Sequence, residues 1–398
     1  MKILITTDCY KYNLGGVTAV VLALCSGLRG LGHEVKTLSL SNCGKSFRDG
    51  EDYYIKSFPA PYYQGMRMSL AMHDPLIKEL EEWKPDIIHV QSEGTTYQMA
   101  LRIMKCCNIP IVMTCHTDYA YFVFRDLKYT RPVKAAMGLA GKHVYRRAAE
   151  VTVPSQKATG FPHLSSQTDR ITVIPNGIEL DRFSQRLSYE ERHELRKSLG
   201  IDDKTMALLI VSRLSKEKNI GEIISYLPTL LKKSPDTKLV IVGDGPDRKH
   251  LEKLTCSLQL ENNVIFVGRV ASDNVWRYYD AGDVFVSASV FEVHSISYLE
   301  AMANGLPMLC REDEALRGVL EQGENGLIYN SPDEFYDYAC RLLNDNDLRM
   351  RMGSCSRKRA ENFSSDNFAS KMFEIYEEAV GTCTPVRSES LEYDYKLR

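Results

Sequence analysis

A chain of 398 residues is long for one domain and comfortable for two, each able to bury its own core. Its 50 Lys and Arg against 52 Asp and Glu leave a formal charge of −2, which excludes nucleic acid as a partner drawn by bulk charge; any attraction to an anionic surface needs a local patch. No run approaches ~18 consecutive apolar residues, so no transmembrane helix is expected, and 11 cysteines without metal-ligand spacing fit free thiols in a reducing cytosol.

Met1-Lys2 passes straight into Ile3-Leu4-Ile5, which reads as a strand rather than a signal peptide. Strands are expected at Lys2–Thr6, Val35–Leu40, Ile87–Gln91, Ile111–Cys115, Val151–Pro154 and Ile171–Ile174. Helical patterns such as Gly16–Leu31 and Pro75–Trp83 lie between them, and Cys106-Cys107 reads as packing at a helix end. The rhythm breaks where charge becomes dense, from Ser188 to Lys197, which places a hinge at about 178–204. It then resumes with Ala207–Ser212, Lys238–Gly243, Val264–Val267, Val284–Ser287 and Pro307–Cys310. After Pro332 three helices are expected, then a tail from Thr384. Continuous apolar strands alternating with helices predict an α/β protein of two doubly wound Rossmann-like domains, whose ligands bind at strand C-terminal ends in the cleft between them.

Several loops carry chemistry. Thr7-Asp8-Cys9-Tyr10 and Asn13-Leu14-Gly15-Gly16-Val17 form a strand, a diglycine loop and a helix start, suited to an anion at the helix N-terminus or simply to a tight turn. Arg213 and Lys218 follow the first strand of the second half, where two cations can neutralise a diphosphate; Lys216 reads as solvated. Val242-Gly243-Asp244-Gly245-Pro246 looks like a dinucleotide fingerprint, but Arg248 stands at the third glycine, so a nicotinamide enzyme is the weaker reading. Glu292 and Glu300, eight residues apart, flank a helix start with Ser295 and Ile296 between them. At 1.5 Å per residue they lie up to roughly 12 Å apart, about the separation of hexose and ribose in a nucleotide sugar. Glu300 falls in the apolar stretch Ile296–Met302, which argues against simple solvation.

Together these segments, with Pro175-Asn176-Gly177-Ile178, resemble glycosyltransferase family 4, the retaining enzymes of the GT-B fold, over nearly the whole chain. The resemblance implies that residues 1–178 form an acceptor-binding domain, 179–375 a nucleotide-sugar-binding domain, and 376–398 a helix end and tail. It implies catalytic roles for His116, Glu292, Arg213 and Lys218. Gly15, Gly16, Asn176, Gly243, Asp244, Arg269, Val270, Ser295, Ile296 and Glu300 would bind the donor, Gly268-Arg269-Val270 presenting backbone to the base. His33 is read as a turn residue without chemistry. His294 replaces a frequent Phe and Ser295 a frequent Gly, which puts the donor-loop geometry in question.

Thr114-Cys115-His116-Thr117-Asp118-Tyr119 and Ser297-Tyr298-Leu299-Glu300-Ala301, with Arg311-Glu312-Asp313-Glu314 downstream, look most like diacylglycerol glucosyltransferases. A lipid acceptor agrees with seven cations between Arg125 and Arg147: Arg125, Lys128, Arg131, Lys134, Lys142, Arg146 and Arg147, with Asp118 nearby. These fit an anionic membrane surface or a solvated helix face equally well, and apolar residues from Phe58 to Met72, with Arg67, can add insertion. The expected activity is transfer of a hexose, glucose first, from a UDP-sugar to a hydroxyl acceptor, at a cytoplasmic site or peripherally on the inner face of the membrane. No cofactor or metal is called for. Alternatives are a transferase acting on a glycan acceptor, or a sugar-nucleotide-binding protein without turnover.

Overall fold

The computed structural model describes residues 1–11, 15–60, 67–118, 144–202 and 204–382. Strands of the first half are β1 (Lys2–Thr7), β2 (Glu34–Leu40), β3 (Phe47–Asp49), β4 (Asp52–Ile55), β5 (Phe58–Pro59), β6 (Arg67–Met68), β7 (Ile87–Val90), β8 (Ile111–Thr114), β9 (Glu150–Val153) and β10 (Ile171–Val173). Eight of them form one sheet in the order β10-β9-β8-β7-β1-β2-β4-β3, parallel throughout except for β3, which pairs antiparallel with β4. The second half supplies β11 (Met206–Val211), β12 (Thr237–Val242), β13 (Val264–Gly268), β14 (Val284–Ser287), β15 (Met308–Arg311) and β16 (Gly326–Tyr329). They form an all-parallel sheet in the order β13-β12-β11-β14-β15-β16. Both sheets reverse order beside their first strand, the switch point at which such folds bind ligands.

The strands are apolar on both faces because both faces are covered. In β1, Ile3 and Ile5 enter one core while Leu4 enters another. The first of these cores is continuous between the halves, taking in Leu209 and Phe285 of the second sheet and Tyr376 of the last helix.

The charged stretch is helical: Ser188 and Glu191 form a capping box on the helix Tyr189–Ser198. Arg196 is buried, donating to the Ala281 carbonyl at 2.8 Å and to Asp283 at 3.1 Å, so this helix is fastened to the second sheet. Cys106 is exposed and only Cys107 is half-buried, so the pair does not pack as a unit.

Three helices follow Pro332, at Pro332–Asn344, Asn346–Ala360 and Ser365–Thr382. The last returns to the first half. Ile178 N–H donates to the Phe363 carbonyl at 2.8 Å and the Ser365 N–H to the Ile178 carbonyl at 2.9 Å. The helix Ser365–Thr382 then lies on the helix Gly16–Gly30 so closely that a Cβ on Gly27 would stand 2.4 Å from the Ser365 carbonyl oxygen. His33, after the left-handed Gly32, stacks on Phe373 of this helix at 4.2 Å, the turn role expected of it. The tail from Thr384 lies outside the described residues.

Candidate active site

Loops following strand ends of one sheet meet those of the other. The helix Gly16–Gly30 begins after β1, the helix Ile296–Asn304 after β14, and neither has a side-chain cap at its N-terminus. A Cβ on Gly16 would lie 3.7 Å from Ile296 Cγ1, so the two helix starts meet, each presenting first-turn N–H groups that no side chain caps and the positive end of its dipole. Gly15 is extended and its missing side chain borders open space. Ser295 is an ordinary residue at its position: φ is −75°, so replacing glycine there introduces no strain, and its hydroxyl lies 3.0 Å from that of Ser297.

Beside the start of the helix Ile296–Asn304, Lys218 Nζ donates to Glu292 Oε1 at 2.5 Å. Lys218 comes from the turn after β11 and Glu292 from the loop after β14; the Val290 N–H and Ser289 hydroxyl stitch the two together through the Glu217 carbonyl at 3.2 Å each. A small cavity beside the pair is bordered by Ser212, Ser287 and Ser297. Arg213 is exposed on the same turn, and so is Lys216. The Gly243-Asp244-Gly245 turn braces this loop: at Gly243, where φ is +134°, a Cβ would stand 1.9 Å from the Ser212 carbonyl oxygen, and at Gly245 2.3 Å from that of Leu214. Only glycine allows that approach. Asp244 is exposed and its carbonyl accepts from Leu214 N–H at 3.1 Å.

Glu300 sits in the helix Ile296–Asn304, where the Tyr279 hydroxyl donates to it at 2.7 Å. Burial pushes its carboxyl up to about 7, against the downward pull of that hydrogen bond. Arg269 is exposed and Val270 half-buried after the left-handed Gly268. Asn176 is buried, its amide nitrogen 3.5 Å from the His294 carbonyl and its oxygen without a partner. His294 is buried too; burial pushes its imidazole down to about 4 and its Nδ1 has no partner. Lys157, after β9, donates to both Asp313 oxygens at 2.7 Å and lies 6.0 Å from the Phe291 ring, clasping the halves beside the loop that follows β14.

His116 follows β8 with Nε2 2.6 Å from Gln91 Oε1, and burial pushes its imidazole down to about 4. It is therefore neutral at physiological pH. Asp118 lies 3.4 Å from His163 Nδ1, while His163 Nε2 is 3.8 Å from Cys115 Sγ. The sequence of contacts imitates a nucleophilic triad, but burial pushes the Cys115 thiol up to about 12, leaving no thiolate to attack.

Three polar residues of this half escaped the sequence reading, Gln91, Glu93 and His163, and Asp8 was read there without a role of its own. Asp8 caps the helix Thr95–Cys107, accepting from the Thr96 N–H at 2.9 Å. Glu93 accepts from the Tyr145 hydroxyl at 2.5 Å, and burial pushes its carboxyl up. The available signal was their position: Asp8, Gln91 and Glu93 each stand within three residues of a strand's C-terminal end.

Of the basic segment, Arg146 and Arg147 are exposed on a single turn, whereas Arg125, Lys128, Arg131, Lys134 and Lys142 lie outside the described residues. Phe58 and Leu70, 44% and 81% exposed, flank the hairpin β5–β6. Among the described residues no helix is long and apolar enough to cross a membrane, and no three His, Cys, Asp or Glu side chains gather as metal ligands.

Comparison with known proteins agrees with this architecture. The Glycosyltransferase Family 4 profile matches residues 14–182 and the Glycosyl transferases group 1 profile residues 191–359. The alpha-monoglucosyldiacylglycerol synthase of Acholeplasma laidlawii is 31% identical over 86% of this chain and 88% of its own. A Streptococcus pneumoniae enzyme of the same name is 29% identical over 96% of this chain and 86% of its own. Among solved structures, Anabaena HepE in complex with UDP superposes with a TM-score of 0.72 over 95% of this chain and 100% of its own, at 19% identity, which speaks for the fold. With two Rossmann-like sheets facing across a cleft and the synthase matched along most of its length, the chain belongs to the family 4 glycosyltransferases of the GT-B fold.

Proposed function

We propose that the protein is a retaining hexosyltransferase that moves glucose from UDP-glucose to the hydroxyl of diacylglycerol at an anionic membrane surface. The observation that carries the reading is the meeting of two uncapped helix N-termini beside the Lys218–Glu292 pair. Unsatisfied N–H groups, two dipoles and a lysine at one point suit a diphosphate, and the carboxylate held by that lysine suits the sugar attached to it. The lipid acceptor is supported by the relatives' names.

In this reading the donor diphosphate lies between the helix starts, against Gly15, Gly16, Ser295 and Ile296. Arg213 and Lys218 meet the charge that develops as the bond from the anomeric carbon to the phosphate oxygen breaks. Glu292 grips hexose hydroxyls, Glu300 the ribose diol, and the backbone of Arg269 and Val270 the base. Gly243 and Asp244 act by bracing the Arg213 loop, and Asn176 by holding the His294 backbone. The acceptor hydroxyl attacks from the face that the phosphate leaves, its proton passing to a diphosphate oxygen, so configuration is retained. Such a route asks only for positioning and charge stabilisation, and it calls on no cofactor. His116 borders the reacting carbon from the first half. Arg146, Arg147 and the preceding cations, with Phe58 and Leu70, would hold the cleft at the lipid surface.

The test is a donor panel of UDP-glucose, UDP-galactose, UDP-N-acetylglucosamine and GDP-mannose, offered with diacylglycerol in anionic or neutral vesicles or with soluble acceptors. Glycolipid from UDP-glucose, faster on anionic vesicles, is the expected result. Nucleotide release with soluble acceptors only would remove the lipid from the proposal, and silence from every donor would remove the transfer. Arg213→Ala should lower turnover by at least about a hundredfold while leaving the melting temperature unchanged.

A further inference from the structure

The helix Ser365–Thr382 is last in the chain, yet its Tyr376 reaches into the centre of the first sheet. Tyr376 Oη lies 2.6 Å from His89 Nδ1, and Thr114 Oγ1 lies 2.7 Å from His89 Nε2. Against the same imidazole, Gln91 Nε2 stands 3.1 Å from Nδ1 and 3.0 Å from Nε2. The other end of that amide, Oε1, stands 2.6 Å from His116 Nε2. His89, Gln91, Thr114 and Tyr376 are at most 4% exposed, so the chain's own groups must supply every partner.

One arrangement of protons agrees with all these contacts. Thr152 donates to the Met113 carbonyl at 3.5 Å, and a carbonyl can only accept. Thr114 therefore donates to Thr152, 2.6 Å away, and accepts from His89 Nε2–H. Burial pushes the His89 imidazole down to about 3, so it is neutral and holds a single N–H; its Nδ1 accepts from the Tyr376 hydroxyl. Gln91 Nε2 is almost equidistant from the two ring nitrogens, so the amide lies over the ring face, where an N–H rather than an oxygen lone pair is favoured, and Oε1 faces His116. An amide oxygen only accepts, and His116 must be its donor.

We propose that Tyr376, His89 and Gln91 are positioning residues that hold His116 as the Nε2–H tautomer, with a bare Nδ1 lone pair as its offering to the substrates. His116 then accepts a hydroxyl proton in a hydrogen bond and gives none. Tyr376 and Thr114 lock the arrangement together: while they occupy both ring nitrogens of His89, a flipped Gln91 would turn its oxygen onto a ring face with no free proton. The C-terminal helix is thereby part of the catalytic apparatus. Its relevance to turnover rests on the proposed place of His116 beside the reacting carbon, but the tautomer itself does not.

The test uses the full chain labelled with 15N-histidine, and long-range 1H–15N spectra at neutral pH, with the His116 signals assigned from a His116→Gln sample. Neutral His116 protonated on Nε2 is expected in the wild-type protein. In Tyr376→Phe both tautomers of His116 should appear, with kcat lowered at least about tenfold and the KM for UDP-sugar within about twofold. Protonation of wild-type His116 on Nδ1 overturns the proposal, as does a Tyr376→Phe protein whose His116 spectrum is unchanged. The wild-type spectrum decides even where the variant does not fold. It needs no turnover, so failure of the transferase reading is distinguishable from failure of this one.

Discussion

Glu300 shows what burial costs a single carboxyl. Its folded value of about 7 lies above the ordinary 4.5, so between those limits the folded state holds a proton that the unfolded chain has released. Stability contributed by the neutral acid is full below about pH 4.5 and is lost as pH rises through about 7, on the order of 3 kcal/mol in all. Glu300→Gln, neutral at every pH, should therefore match the wild-type protein at pH 5 and exceed its stability at pH 8 in ligand-free urea titrations. Equal stability at both pH values would show that Glu300 is not held in a dry environment. Lys218 and Glu292 are the opposite case, each already holding the other's charge at 2.5 Å. A sugar hydroxyl entering there meets an acceptor whose direction is set by a lysine, rather than a mobile side chain.

Elements carry the next level of precision. Gly27 exists so that two helices can approach: Gly27→Ala would press a methyl against the Ser365 carbonyl and the Ala369 side chain, both under 3.0 Å away. It should cost about 1–3 kcal/mol by denaturant titration, and no change would mean that the helices part without penalty. Most strands were legible because their apolar runs are continuous; Val284–Ser287 agrees to the residue and the others agree within one or two at either end. β3, β4, β5, β6 and β16 were not: β5 and β6 are two residues each, and Asp52-Tyr53-Tyr54-Ile55 and Gly326-Leu327-Ile328-Tyr329 are short runs at sheet margins with little pattern of their own. The site divides in the same way. Lys218 and Glu292 could be paired from loop positions after two strands that turn out to be neighbours, β11 and β14. Gln91 and Tyr376 could not, because 285 positions separate them in the chain and nothing local links a strand residue to a distant helix. Ser295 looked like a departure only because its φ was unknown; at −75° a side chain is harmless.

At the scale of the molecule, the two halves share one core, and three contacts join them beside the site: Gly16 with Ile296, Asn176 with the His294 backbone, and Lys157 with Asp313. The last pair, 20% and 6% exposed at its side chains, sits beside Phe291 at the root of the donor loop. Lys157→Ala leaves Asp313 without its cation and should loosen closure over the donor, raising the KM for UDP-sugar by about three- to tenfold with kcat at saturation largely kept. An unchanged KM would make the clasp incidental. In the proposed reaction one cleft holds a UDP-sugar and a lipid hydroxyl on the same face of the anomeric carbon. Its most direct test is the anomeric configuration, by proton NMR, of the glycolipid formed from UDP-glucose and diacylglycerol vesicles. The account predicts an α-linked glucolipid, the configuration of the donor; a β-linked product, or UDP released with no glycolipid, would contradict it.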